Sequence, residues 1–171
     1  MMNLRRATAD DAPALARVHV DSWQVAYRGI VPESHLERFT YAWRERAFRK
    51  ALSDNSEETY LLQDEEQPVA ILTIGASRDD DLDTQAVGEL WGIYITPDYW
   101  RRGIGTTLVR EAERMLHARG CTAVVLWVLA DNHDARRFYE KMGYAADGVS
   151  KTVTLGQPLS AVRYHKMLTA S

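Results

Sequence analysis

The spacing of apolar positions changes along the chain. Asn3 to Ala7 reads as a short first strand, and Thr8 with Asp11 makes a capping-box-like helix start in which Asp stands where Glu is usual. The helix that follows repeats Ala12, Leu15, Ala16, His19 and Trp23 on one face. Arg28-Gly29-Ile30-Val31-Pro32 breaks it, and a helical pair is predicted at Pro32 to Phe39 and Thr40 to Leu52. Strands are expected over Thr59 to Gln63, Val69 to Ile74 and Val87 to Ile95, with Asp79-Asp80-Asp81-Leu82-Asp83 as a solvated loop between the last two. Pro97-Asp98 and a turn with two glycines lead into a helix whose apolar positions, Ile104, Leu108, Ala112, Met115 and Leu116, stop at Gly120. Cys121 to Leu129 is almost wholly apolar, as a strand buried on both faces would be. Asn132 caps a further helix carrying Ala135, Phe138, Tyr139 and Met142, ended by Gly143, and strands at Tyr144 to Thr154 and Ala161 to Leu168 complete the order. This predicts an α/β (α+β) fold, a mixed sheet of six or seven strands with helices on both faces.

Composition narrows the class. At 171 residues, with no linker-like stretch and no internal repeat, the chain is expected to form a single domain over 1–171 that folds without cross-links. Its 21 basic and 24 acidic residues leave a net charge of -3, which argues against nucleic acid as a partner. The single cysteine, Cys121, excludes an internal disulfide, and the N-terminus lacks a signal-peptide core, so a cytoplasmic location is expected. The longest apolar run, Ala123 to Ala130, is too short to span a bilayer, and no membrane partner is expected. His19, His117, His133 and His165 show no metal-ligand spacing, so neither a metal site nor an acyl-cysteine intermediate at Cys121 is expected.

The informative segment runs from Ile93 to Leu108: a strand enters a turn with two glycines, and the turn opens a helix. Backbone N–H groups at such a helix start lack internal partners and lie at the positive end of the macrodipole, a geometry that binds phosphate oxygens. Arg101 and Arg102 add charge there. The turn is not a dinucleotide fingerprint, because Leu108 stands where Gly or Ala is required, and it lacks the Gly-Lys-Ser/Thr of a Walker loop. Taken alone, the segment also reads as a plain strand-to-helix turn.

Two motifs together carry a resemblance. The turn resembles Arg/Gln-x-x-Gly-x-Gly/Ala, the pyrophosphate motif of the GNAT superfamily of acyl-CoA-dependent N-acetyltransferases. Asn132-x-x-Ala135-x-x-Phe138-Tyr139-x-x-x-Gly143-Tyr144 resembles that family's second cofactor motif, at the right distance. One position departs: Trp100 replaces the leading Arg or Gln. The resemblance implies a mostly antiparallel sheet whose central strands, Val87 to Ile95 and Cys121 to Leu129, splay around acetyl-CoA, with acceptor-side helices at about 8–52 and a CoA-binding core at about 86–144. On this mapping Ile93, Tyr94 and Ile95 hold the acyl and pantetheine portion. Arg101, Arg102, Gly103, Ile104, Gly105 and Thr106 hold the pyrophosphate, and Asn132 bonds near the thioester. Arg136 or Arg137 would either meet the CoA phosphates or form a solvated face.

The implied chemistry is direct transfer of an acetyl group to a primary amine in a ternary complex. An amine with a pKa of about 10.4 must lose a proton before attack, and a thiolate leaves more readily when an acid protonates it. Tyr139 matches the family's proton donor; its other reading is a core aromatic on a helix face. Glu89, the only carboxylate in Val87 to Ile95, lies on the strand face of Val87, Trp91, Ile93 and Ile95, where apolar neighbours would raise its pKa and suit it as a base. Alternatively it merely solvates the strand end. One branch that acetylates N-termini instead carries its carboxylate at the position of Trp127 here. Trp23 and Tyr27, with Tyr41 or Trp43, are candidate walls of the acceptor pocket or simply core. The partners implied are acetyl-CoA and an amine-bearing acceptor, small or peptidic, and a homodimer through the last strands. The rival function is a non-catalytic acyl-CoA sensor module.

Overall fold

A computed structural model describes residues 1–169. Seven strands, β1 (Met2–Arg6), β2 (Glu58–Asp64), β3 (Gln67–Ala76), β4 (Val87–Ile95), β5 (Ala123–Leu129), β6 (Ala145–Thr154) and β7 (Pro158–Met167), form one sheet in the order β1-β2-β3-β4-β5-β7-β6. The pairings β1–β2, β5–β7 and β6–β7 are antiparallel and β4–β5 is parallel, so the sheet is mixed as the sequence predicts. The helices are α1 (Ala12–Ala26), α2 (Glu33–Leu36), α3 (Tyr41–Ser53), α4 (Ile104–Ala118) and α5 (His133–Lys141). The strand starts shift by one to three residues from those expected, save that of β4. β5 begins at Ala123 because the Cys121 N–H is still bonded to Leu116 O, and β7 begins earlier, at Pro158, which pairs with Thr154 across a short hairpin. Among the described residues no helix is long and apolar enough to cross a membrane.

The chain groups into two compact units, Met1–Thr73 with Gly92–Gly105, and Ile74–Trp91 with Thr106 onward. In the first, Ala12, Leu15 and Val18 of α1 pack with Phe48, Leu61 and Ile71. The predicted cap forms: Thr8 N–H donates to Asp11 Oδ2 at 2.8 Å, and Arg5 grips the same carboxylate at 2.9 and 2.8 Å. In the second unit the buried face of α4 is Leu108, Val109, Ala112 and Leu116, so Val109 joins the predicted stripe while Met115 is only half-buried. β5 is buried at every position but the half-buried Trp127, so both of its faces are covered, as its almost wholly apolar sequence predicts.

Candidate active site

In the first unit the end of β4 feeds directly into the two-glycine turn. Thr96 N–H bonds to Val69 O at 2.9 Å, and a single 3-10 turn over Pro97–Tyr99 follows. Trp100, the residue that departs from the motif, donates its indole N–H to Ile95 O at 2.6 Å and so ties the far side of the turn to the strand end. Arg101 and Gly103 both have positive φ, 61° and 79°, which curls the backbone just before α4. A non-glycine residue in this region is strained, and such strain collects at ligand sites. Arg101 and Arg102 are exposed, and Arg102 lies over the Tyr99 ring at 4.7 Å. A cavity of about 520 Å³ is lined by Arg17 and Asp21 of α1, Gln67 of β3 and Thr96, just past the end of β4.

Ile93, Tyr94 and Ile95 are half-buried at the end of β4. The Tyr94 ring folds back over Gly92, where an added Cβ would meet it at 2.8 Å, and packs on His19 with ring centroids 3.9 Å apart. Trp23 stacks on Phe39 at 4.3 Å, Tyr27 leans on Trp23 at 4.7 Å, and Phe39 touches the exposed Trp43 at 5.4 Å. Trp23 and Tyr27 are thus half-buried members of one aromatic wall rather than solvent-facing residues. Tyr41 stands apart, exposed, its hydroxyl on Asp21 at 2.5 Å. The sequence pattern puts His19 on the core face of the first helix and signals no role for it. It is buried, and Arg44 donates to its Nδ1 at 2.6 Å.

In the second unit Glu89 is 1% exposed. Its surroundings are not the apolar face that strand alternation predicts. The Arg78 backbone N–H reaches Oε1 at 3.0 Å, and Arg78 Nε and Nη2 reach Oε2 at 3.1 and 2.5 Å. The guanidinium also lies 4.0 Å over the Trp91 ring. Alternation along one strand carries no information about a neighbour from the preceding loop, and Arg78 comes from that loop. The parallel ladder joins Val87, Gly88 and Glu89 to Ala123, Val124 and Val125, and both strands continue past it.

Asn132 caps α5 as predicted, its side-chain oxygen accepting from Ala135 N–H at 3.3 Å. Tyr139 is half-buried on α5 between Phe138 and Tyr144, with ring centroids at 5.1 and 6.0 Å. Arg136 is committed to structure: Nε bonds to Tyr164 Oη and Nη1 to Ala130 O, both at 2.9 Å. Arg137 pairs with Asp134 on the surface.

The acidic segment after β3 is not a merely solvated loop. Asp79 and Asp81 both bond to Arg163, only 4% exposed on β7, which also holds Asp147 at 2.6 Å. Trp127 donates its indole N–H to Asp79. The position where one branch of the family carries a carboxylate is therefore part of an anchoring network.

The acetyltransferase (GNAT) family matches residues 18–144. The chain is 29% identical over 138 residues to the uncharacterized N-acetyltransferase YuaI of Bacillus subtilis, covering 77% of this chain and 74% of that one. Among solved structures, a GCN5-related N-acetyltransferase from Rhodopseudomonas palustris superposes with a TM-score of 0.76 at 27% identity, covering 97% of this chain and 95% of the other. The PaiA N-acetyltransferase of Thermoplasma acidophilum, in complex with coenzyme A, shares the fold with a TM-score of 0.73 at 20% identity over 98% and 99% of the two chains. With most of its length matched, this chain belongs to the GNAT family of N-acetyltransferases.

Proposed function

We propose that the enzyme transfers an acetyl group from acetyl-CoA directly to a primary amine in a ternary complex. The observation that carries this reading is the Thr96–Gly105 turn: two left-handed residues, two exposed arginines and a following fifteen-residue helix make an anion cradle of the kind a pyrophosphate needs. Coenzyme A bound by the PaiA neighbour agrees with it. In this reading Arg101 to Thr106 hold the pyrophosphate, and Ile93, Tyr94 and Ile95 hold the pantetheine and acyl group. A β4 backbone N–H polarises the thioester carbonyl, and the amide nitrogen of Asn132, free of the cap made by its oxygen, bonds the cofactor. Use of acetyl-CoA and a lone reduced thiol favour the cytoplasm.

The amine nitrogen attacks the thioester carbon, the C–S bond breaks, and the Tyr139 hydroxyl protonates the departing sulfur. The excess proton left on the acylated nitrogen returns to the Tyr139 phenolate, giving the neutral amide and free thiol. The acceptor enters as an ammonium and must release a proton. Glu89 takes it once the ammonium has displaced Arg78, since the carboxylate and the Trp91 face together suit either cation. Trp23 and Tyr27 wall the acceptor. The same closed Arg78–Glu89 pair also favours a second reading, an acyl-CoA sensor without turnover. Single-turnover measurement with labelled acetyl-CoA and a panel of amines separates the two: acetylated product is expected, and tight cofactor binding with no product from any amine overturns the transfer reading.

A further inference from the structure

Two buried hydrogen-bond donors on α1 lack an acceptor. His19 Nε2 and Trp23 Nε1 are both shut off from solvent, and neither has a hydrogen-bond partner among the described residues. The state of His19 follows from its other nitrogen. Arg44 donates Nε–H to Nδ1 at 2.6 Å, so Nδ1 presents a lone pair and the proton of the neutral ring is on Nε2. Burial, and then the neighbouring charge of Arg44, hold the imidazole well below its usual range, which keeps it neutral at pH 7 and Nε2 a fixed donor. Trp23 Nε1 is a donor by its chemistry. The two residues are four apart on one helix and share a face. Buried donors of this kind are ordinarily paired, because leaving them unpaired destabilises the fold.

The surroundings indicate what would pair with them. Arg44, half-buried over the Phe48 ring at 4.0 Å, places a guanidinium behind His19; burial lowers its pKa from the usual arginine value, and Glu57 and Tyr94 offset part of that. The remaining neighbours of His19 are rings: Phe39 at 5.1 Å, Phe48 at 5.7 Å, Trp23 at 6.0 Å and Tyr94 at 3.9 Å. An aromatic run leads inward from the exposed Trp43 through Phe39 to Trp23 and His19. Two neutral donors backed by a cation and walled by apolar rings suit an anionic oxygen and oppose an ammonium.

We infer that the acyl acceptor carries a carboxylate that accepts hydrogen bonds from His19 Nε2–H and Trp23 Nε1–H, so that the substrate class is an amino acid rather than a plain alkylamine. This rests on the proposed amine transfer at Ile93 to Ile95, to which the subsite is joined by the contact of His19 with Tyr94.

The test uses matched pairs of an L-amino acid and its decarboxylated amine, such as phenylalanine with phenethylamine and lysine with cadaverine. Transfer from acetyl-CoA and the ligand-induced shift in Tm are measured for each pair. Wild-type enzyme should prefer at least one amino acid over its amine by about tenfold or more in kcat/KM, carried mainly in KM, as hydrogen bonds to a charged group imply. Trp23→Phe and His19→Phe keep a ring and remove the donor. Both should shrink that preference. Trp23→Phe should do so without loss of Tm, since its donor had no partner, whereas His19→Phe also removes the acceptor of Arg44 Nε–H and is expected to lower Tm. Equal kcat/KM within every pair, or a preference unchanged in both variants, overturns the inference. A carboxylate-dependent Tm shift without turnover supports the subsite and removes only the transfer reading; no shift and no turnover removes both.

Discussion

Arg78 and Glu89 are partners of very unequal exposure: the arginine side chain is 53% accessible and the carboxylate 1%. The buried member is held in place by its partner, and the exposed member is the one that can leave. Arg78→Ala strands the carboxylate without its guanidinium. Since breaking a buried pair is strongly unfavourable but this partner is half in water, the expected loss is about 2 kcal/mol. Glu89→Gln, which leaves an amide that can still accept from the Arg78 backbone, should lose less, and the double variant should recover part of the Arg78→Ala loss. Urea denaturation of the three proteins measures this. Additive losses would mean that the pair is not coupled.

Arg163 ties two segments to β7. Its guanidinium accounts for hydrogen bonds to Asp79, Asp81 and Asp147, and Asp81 is held below the usual carboxylate range by it. Arg163→Met removes the cation and leaves the partly buried Asp79 and Asp147 facing each other's charge. A loss of about 3 kcal/mol is expected, with faster amide exchange in residues 78–83 as the local signature. Unchanged exchange there would show that the acidic segment holds its place without Arg163.

His19 makes stability depend on pH. Its folded-state pKa is lowered, by burial first and by Arg44 second, so below the ordinary value of about 6.5 the unfolded chain binds a proton that the folded chain refuses. The contribution is complete above that value and declines as pH falls from it toward the folded-state pKa. Urea midpoints of wild type should therefore drop between pH 7 and 5 more steeply than those of His19→Phe. Parallel curves would place the folded-state pKa of His19 near its ordinary value.

Most of the fold was legible in the sequence because it is written in periodicity. The stripe of α4, the all-apolar β5 and the Thr8–Asp11 cap are each local patterns with one structural solution, and all three form. The Asn132 cap is legible for the same reason. What stayed hidden are relations between segments distant in the chain. Arg78 on Glu89, Arg163 on Asp79 and Arg44 on His19 each join a charged or polar side chain to a residue from another element, and no periodicity specifies such a partner. Arg136 misleads for a related reason: an exposed-looking helix arginine proves to hold Tyr164 and the carbonyl of Ala130.

Tyr139 separates chemistry from binding. In the proposed mechanism it gives its proton to the thiolate, so Tyr139→Phe should lower kcat by about a hundredfold, the lower range for a lost general acid, and leave the Kd for acetyl-CoA within about threefold. Stopped-flow transfer rates and calorimetric binding read the two quantities independently. Equal rates in the variant would remove the acid role and leave Tyr139 as an aromatic packed against Phe138 and Tyr144.

Trp100 tests how the cofactor turn is held in shape. Its indole N–H closes the loop onto Ile95 O at 2.6 Å, while the residue itself is 37% exposed and contributes little to the core. Trp100→Phe deletes that one hydrogen bond and keeps an aromatic ring. A bond of this kind is worth about 1 kcal/mol, which corresponds to roughly fivefold in an equilibrium constant. If the turn is the pyrophosphate cradle, that energy is lost in cofactor affinity: the Kd for CoA should rise by roughly fivefold with Tm nearly unchanged. Dephospho-CoA, which keeps the pyrophosphate and lacks only the 3′-phosphate, should weaken in the same proportion, whereas pantetheine, which lacks the pyrophosphate, should bind equally to both proteins. A variant that weakens pantetheine as much as CoA would place the effect of Trp100 on the strand end rather than on the anion cradle.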